Sequence, residues 1–95
     1  MNGLRFEWDP RKAAKNRRKH GVSFEEAATV FNDLRRLREY DLMHAGEEDR
    51  EIVIGFSERM RLLMVVIYEQ EENVIRIISA RRATREEGLR YFAEG

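Results

Sequence analysis

The chain is predicted to fold as an α+β domain with two N-terminal helices, a three- to four-stranded antiparallel sheet and a C-terminal helix. Three observations carry that prediction. Asp9-Pro10 and Ser23-Phe24-Glu25-Glu26 are helix-start signatures close together in the first third of the chain. Three β-branched runs, at residues 51–56, 62–68 and 74–80, follow one another through connections of about five residues, too short for the crossover that parallel neighbours need. Thr84 and Glu87 then form another capping pattern ahead of a last helix. The 95 residues are read as one domain, 1–95, with chain enough for a single modest core.

In order along the chain, Leu4, Phe6 and Trp8 alternate with Arg5 and Glu7, the period of a short strand or extended arm. Asp9 is placed to cap a helix that starts at Pro10, runs to about Lys19 and is stopped by Gly21. Its apolar interior residues are Ala13 and Ala14, a narrow stripe that leaves the lysines and arginines wet. Ser23 and Glu26 are expected to satisfy each other's backbone donors, and Phe24, Ala27, Ala28 and Phe31 line one face of the second helix, which Asn32-Asp33 closes. Residues 34–42 fit a short, charge-dotted edge strand better than a helix. Residues 43–50 read as a polar loop. The near-continuous apolarity of the three strands means that much of both sheet faces is covered. Leu89, Phe92 and Ala93 are expected to be the inner face of the last helix.

Composition narrows the function classes. There is no cysteine, no apolar run near the length of a membrane span, and no apolar core of a signal peptide in the first six residues, so a soluble, cytoplasmic protein is expected. Net charge is zero, which argues against sequence-blind nucleic-acid binding by the whole surface, but the charge is polarised. Residues 1–22 carry seven basic side chains against two acidic ones, residues 23–51 nine acidic against four basic, and residues 73–95 five basic against three acidic. Within residues 76–87 a strand end meets a helix start, where backbone N–H groups point outward beside Arg81, Arg82 and Arg85, a combination suited to an anion. A helix-turn-helix DNA reader over residues 10–31 is disfavoured, because its second helix is acidic. No P-loop, metal-ligand cluster or Ser-His-Asp arrangement is present, and no cofactor is expected.

Phe6-Glu7-Trp8-Asp9, the run from Lys19 to Ala27 (Lys-His-Gly-Val-Ser-Phe-Glu-Glu-Ala), Ile54-Gly55-Phe56-Ser57, Arg61-Leu62-Leu63 and Arg76-Ile77-Ile78-Ser79-Ala80-Arg81 together resemble the BrnT family of bacterial toxins over nearly the whole chain. The resemblance implies a small RelE-like domain and a metal-independent, RNA-cleaving toxin that blocks translation. It also implies a partner: a BrnA-like antitoxin with a DNA-binding segment, pairing as two toxins with two antitoxins and bringing the complex to operator DNA. Position 60 is Met where the family usually places Gly, so a left-handed turn there would be strained.

Cleavage through the substrate's own 2′-hydroxyl needs a group to take that proton, one to protonate the leaving oxygen, and cations for the phosphorane. His20, Arg59, Arg81 and Arg82 are the candidate catalytic residues; Lys15, Arg18, Lys19, Arg61 and Arg85 are the candidate RNA contacts. His44 is set aside. Glu58 is a poor base among arginines; Trp8 and Tyr68 are the side chains that could stack on bases, a role such residues take less often than a place in the core, to which Trp8 is assigned. The competing class is a non-catalytic binding module acting within an antitoxin or operator complex, kept open by the shortage of general bases and by Met60.

Overall fold

The computed structural model describes residues 3–41 and 49–94. In chain order its elements are strand β1 (Arg5–Glu7), helices α1 (Pro10–His20) and α2 (Phe24–Thr29), a 3₁₀ turn (Val30–Asn32), strands β2 (Leu37–Tyr40), β3 (Arg50–Phe56), β4 (Leu62–Glu71) and β5 (Val74–Arg82), and helix α3 (Arg85–Glu94). The α+β class and the order of the helices agree with the sequence reading. Most of the loop expected at residues 43–50, including His44, lies outside the described residues.

The sheet is larger than expected and mixed. Its five strands lie in the order β1-β5-β4-β3-β2. β2 to β5 form the antiparallel meander, with β2 as the charged edge strand. β1, however, joins the opposite edge parallel to β5, with Phe6 beside Ile75 and Glu7 beside Arg76. The short-connection rule that excludes parallel pairing applies to strands adjacent in sequence. Here the helices and three strands intervene, which is crossover enough.

One sheet face, carrying Val53, Leu63, Val65, Ile67, Ile75, Ile77 and Ala80, packs on Val22, Phe24, Ala27, Val30 and Phe31 to form the main core. Phe6 meets Phe31 at 5.1 Å between ring centroids, and Trp8 meets Phe24 edge-on at 5.9 Å, so the alternating N-terminal arm is a strand because it roofs this core. The other face carries a smaller cluster of Ile54, Met64 and Tyr91.

Two helices are rotated from their expected faces. In α1, Ala13 is half-buried but Ala14 is exposed, and the buried position is Asn16. In α3, Leu89 and Phe92 are 61% and 67% exposed and Ala93 is also outside; Tyr91, 4% exposed, points in. Polar anchors set that rotation. The Tyr91 hydroxyl donates to Asp33 Oδ2 at 2.6 Å, and Glu87, one turn earlier, binds Arg81. Asp33 also accepts from the Phe56 and Arg35 N–H groups at 2.8 and 2.9 Å, tying the 3₁₀ turn to β3 and α3 together. Burial pushes the Asp33 carboxyl up, but these hydrogen bonds and the nearby Arg36 charge outweigh it and hold it below the usual range. Burial, and after it the hydrogen bond to Asp33, push the Tyr91 hydroxyl up to about 12.

Two backbone positions are sharply constrained. A Cβ on Gly55 would lie 2.9 Å from Val30 Cγ1 and 3.1 Å from Asp33 Oδ2, so Gly is what lets the 3₁₀ turn lie against β3. Gly55→Ala is expected to lower stability by roughly 1–3 kcal/mol, the cost of overpacking a filled site, measurable by urea titration. Met60 sits at φ 62°, the left-handed conformation, with its side chain 76% exposed. Met60→Gly removes a left-handed strain of about 1–2 kcal/mol and adds unfolded-chain entropy of about 0.5–1 kcal/mol. The variant should melt a few degrees higher in a calorimetric scan.

Candidate functional site

The site begins with how α1 is held. Asp9 accepts from the Arg11 N–H at 2.8 Å, Pro10 opens the helix, and Gly21 ends it at φ 70°, its N–H donating to the Arg17 carbonyl at 2.8 Å. The last turn is Arg17, Arg18, Lys19 and His20, charges that suit the helix C-terminus. Alanine alone cannot anchor so basic a helix. Asn16 does so: its Nδ2 donates to the Ala80 carbonyl at 2.8 Å and the Val22 carbonyl at 3.0 Å, and its Oδ1 accepts from the Ala80 N–H at 3.1 Å. The side-chain amide thus pairs with β5 much as a neighbouring strand would, just beyond the point where β1 ends.

That docking leaves a cleft of about 200 Å³ between α1 and β5, lined by Lys12, Lys15, Asn16, Lys19, His20, Ile78 and Ser79. Lys12, Lys15 and Lys19 recur at helical spacing on its rim, so Lys15, Lys19 and His20 of the sequence-selected residues come together here. Arg18 does not join them; it lies roughly 160° around the helix from Asn16 and is exposed.

The β3–β4 hairpin abuts the same end of α1. Arg61 Nε donates to Glu26 Oε2 at 2.9 Å and its Nη2 donates to Glu26 Oε1 and, at 3.1 Å, to the Gly21 carbonyl. The Ser57 hydroxyl donates to Glu26 Oε2 at 2.7 Å. Only half of the expected capping box therefore forms: Ser23 accepts from the Glu26 N–H at 3.0 Å, while the Glu26 carboxylate turns to the hairpin. The hydrogen bond from Arg61 holds that carboxyl below its usual range against the opposing effect of burial, with Ser57 and the charges of Arg61 and Arg59 adding to it. Arg59 is largely solvated, its Nη1 3.8 Å from Glu26.

At the strand-to-helix joint, Arg81 is clamped by Glu87 through two bonds of 2.9 and 2.8 Å. Here the capping box is complete: Glu87 accepts from the Thr84 N–H at 2.8 Å and Thr84 accepts from the Glu87 N–H at 3.2 Å. Burial alone would raise the Glu87 carboxyl, but the bonds from Arg81 and Thr84 bring it below its usual value. Arg82 and Arg85 are exposed, with no ion pair among the described residues. The joint lies beside the hairpin, since the Ala83 N–H donates to the Leu62 carbonyl at 2.9 Å. The basic ends of α1, the hairpin and β5 thus gather at one end of the sheet, with Arg61 and Arg81 bound to carboxylates and Lys15, Lys19, His20 and Arg82 open. Among the described residues no three His, Cys, Asp or Glu side chains are placed to share a metal ion.

Sequence reasoning passed over Asn16, Lys12 and Asp33. A polar residue three positions from Ala13 on the narrow inner stripe was the available signal for Asn16; nothing local marks Asp33, whose partners come from β3 and α3.

Comparison with known proteins now adds to this geometry. The family model described as "Ribonuclease toxin, BrnT, of type II toxin-antitoxin system" matches residues 8–87. The chain belongs to the BrnT family. It is therefore a ribonuclease toxin by family, and type II membership implies an antitoxin partner. The crystal structure of the Brucella abortus ribonuclease toxin BrnT has the same fold, with a TM-score of 0.64 and 21% identity over 86% of this chain and 99% of that one. No curated protein matches. No helix among the described residues is long and apolar enough to cross a membrane.

The Glu26 clamp makes a pH prediction. Because its folded carboxyl titrates below the ordinary range of a free glutamate, its contribution is present above that range and is lost as pH falls through the lower folded value. Melting temperatures measured from pH 6 to pH 3 should fall less steeply for Glu26→Gln, from a lower starting point, than for the unaltered protein.

Proposed function

We propose that this BrnT-family chain is a metal-independent endoribonuclease that cuts RNA through the 2′-hydroxyl, inhibits translation, and works in the cytoplasm. The observation that supports this most is the set of Lys15, Lys19 and His20 on one cleft, with Lys12 beside them and no carboxylate on its walls among the described residues. In this reading His20 takes the 2′-hydroxyl proton as that oxygen attacks phosphorus. The bond to the 5′ oxygen breaks, leaving a 2′,3′-cyclic phosphate, and a lysine ammonium of the cleft protonates the departing oxygen. Arg82 and Arg59 meet the phosphorane charge, and Arg18 and Arg85 guide the flanking backbone. Arg61 and Arg81 are assigned a lesser part in direct contact, since Glu26 and Glu87 already occupy their donors.

The partner in this proposal is a BrnA-like antitoxin carrying a DNA-binding segment, assembled as two toxins with two antitoxins and acting on operator DNA through the antitoxin. The alternative reading, a non-catalytic binding module, draws on that same occupation of Arg61 and Arg81.

Cleavage of a labelled RNA separates the two. His20→Ala is expected to slow cleavage by roughly 10²–10⁴-fold with RNA affinity little changed. Lys15→Ala with Lys19→Ala should weaken affinity and reduce the slope of log K against log salt by about 2. Purified protein that binds RNA and leaves it uncut, together with harmless expression in the absence of antitoxin, would establish the module instead.

A further inference from the structure

The last helix keeps an apolar face that the fold does not use. Leu89, Phe92 and Ala93 recur at helical spacing, yet Glu87 and Tyr91 take the inward positions, and Leu89 and Phe92 are left 61% and 67% exposed. On a regular helix Arg85, Leu89 and Phe92 lie within about 60° of one another, with Arg85 roughly 10 Å from Phe92 along the axis, so the three form one stripe. Glu86, Glu87 and Glu94 all fall outside that arc. Arg90, on another side of the helix, is already paired with Glu39 at 2.8 Å. The stripe is continuous with the β3–β4 hairpin. The Phe92 ring lies 6.2 Å from the ring of Phe56, which is half-buried, and a Cβ added at Gly88 would stand 3.5 Å from Leu62 Cδ2. Phe56 is six residues along β3 from Arg50, roughly 20 Å, which puts the stripe at the hairpin end of the sheet. Arg82, exposed and beside Leu63 in register, is at the same end.

A leucine and a phenylalanine at helical spacing, headed by guanidinium groups with no ion pair among the described residues, fit a partner segment that carries apolar side chains and then carboxylates. Area decides between occupants. The stripe and its hairpin neighbours offer a few hundred Å² of apolar surface, the size of an interaction site. Two copies meeting through it would fall well short of the ~800 Å² a side that a stable pair buries. A segment running from Phe92 past Arg85 to Arg82 makes up the difference through charge. We propose that Leu89 and Phe92 of α3 anchor an apolar segment of the antitoxin whose carboxylates reach Arg85 and Arg82. The proposal rests on the reading of the chain as a toxin with an antitoxin partner, and on the assignment of Arg82 and Arg85 to RNA. The two arginines then serve RNA and antitoxin in turn. The carboxylates displace phosphate, while the apolar anchor, which phosphate does not need, gives the antitoxin its hold.

The test titrates the full-length toxin with the separately purified antitoxin encoded beside it, by calorimetry. Leu89→Gln with Phe92→Gln is expected to weaken antitoxin binding on the order of a hundredfold, while the melting temperature and the rate of cutting labelled RNA stay those of the unaltered toxin. Glutamine is a good helix former and both positions are exposed, so the fold tolerates the change. Arg82→Ala with Arg85→Ala should weaken binding and flatten its dependence on salt. In the unaltered toxin the amides of α3 should exchange more slowly once antitoxin is bound, a readout that needs no variant. Unchanged antitoxin affinity in the doubly substituted toxin, or unchanged exchange in α3, overturns the proposal. So does a toxin that is a dimer by itself and a monomer with the same two changes, which gives the stripe to a second copy. A toxin that binds antitoxin through the stripe and cuts no RNA leaves the proposal standing and overturns the ribonuclease reading instead.

Discussion

The organisation of the site depends on one side-chain amide. Asn16 exchanges two hydrogen bonds with the backbone of Ala80 and gives a third to Val22. Without it, a helix whose other inward residue is a single half-buried alanine would have little reason to stay on the sheet. A buried amide with these bonds satisfied stabilises the contact; the same amide unpaired would cost about 1–3 kcal/mol, so the geometry is strongly preferred. Everything that follows at this end of the molecule inherits its position from that contact: the lysine row, His20 over the cleft, and the Gly21 carbonyl offered to Arg61.

The cations of the chain divide by whether another element sends them a carboxylate. Arg61 receives Glu26, Arg81 receives Glu87, and Arg38 receives both Glu51 and Glu69. Each of these pairs links two or more elements, helix to hairpin, strand to helix, or three neighbouring strands. Open cations gather on α1 and at the end of β5, with the solvated Arg59 on the hairpin between them. A chain with equal numbers of acidic and basic residues can thus still present a concentrated positive surface, because several of its acids are engaged in ties between elements and others lie elsewhere in the chain.

Local structure was legible wherever it is determined locally. The caps at Asp9, Ser23 and Thr84, the stop at Gly21 and the β-branched runs of the meander all lie where the sequence places them, because each depends on residues a few positions apart. The family was legible too, since its motifs are spread along the stretch that the family model matches. What escaped depends on distant partners. Parallel pairing of β1 waits on β5; the inner face of α3 is chosen by Asp33 and Arg81 and not by its own apolar residues; Glu26 leaves its helix cap because Ser57 and Arg61 approach it. For the same reason the candidate cations could be named from sequence, but which of them a carboxylate had already engaged could not.

The two walls of the cleft are separated by 64 positions in the chain, as the Asn16–Ala80 contact measures. Synthesis proceeds from the N-terminus, so on a growing chain the lysine helix has no β5 to dock against until the strand carrying Ala80 has emerged. The closing contacts are also among the longest-range in the fold, the kind that form late. A toxin of this design gains its cleft only after β5 has been made. A product broken off before Ala80 would carry the basic helix without the wall that turns it into a cleft.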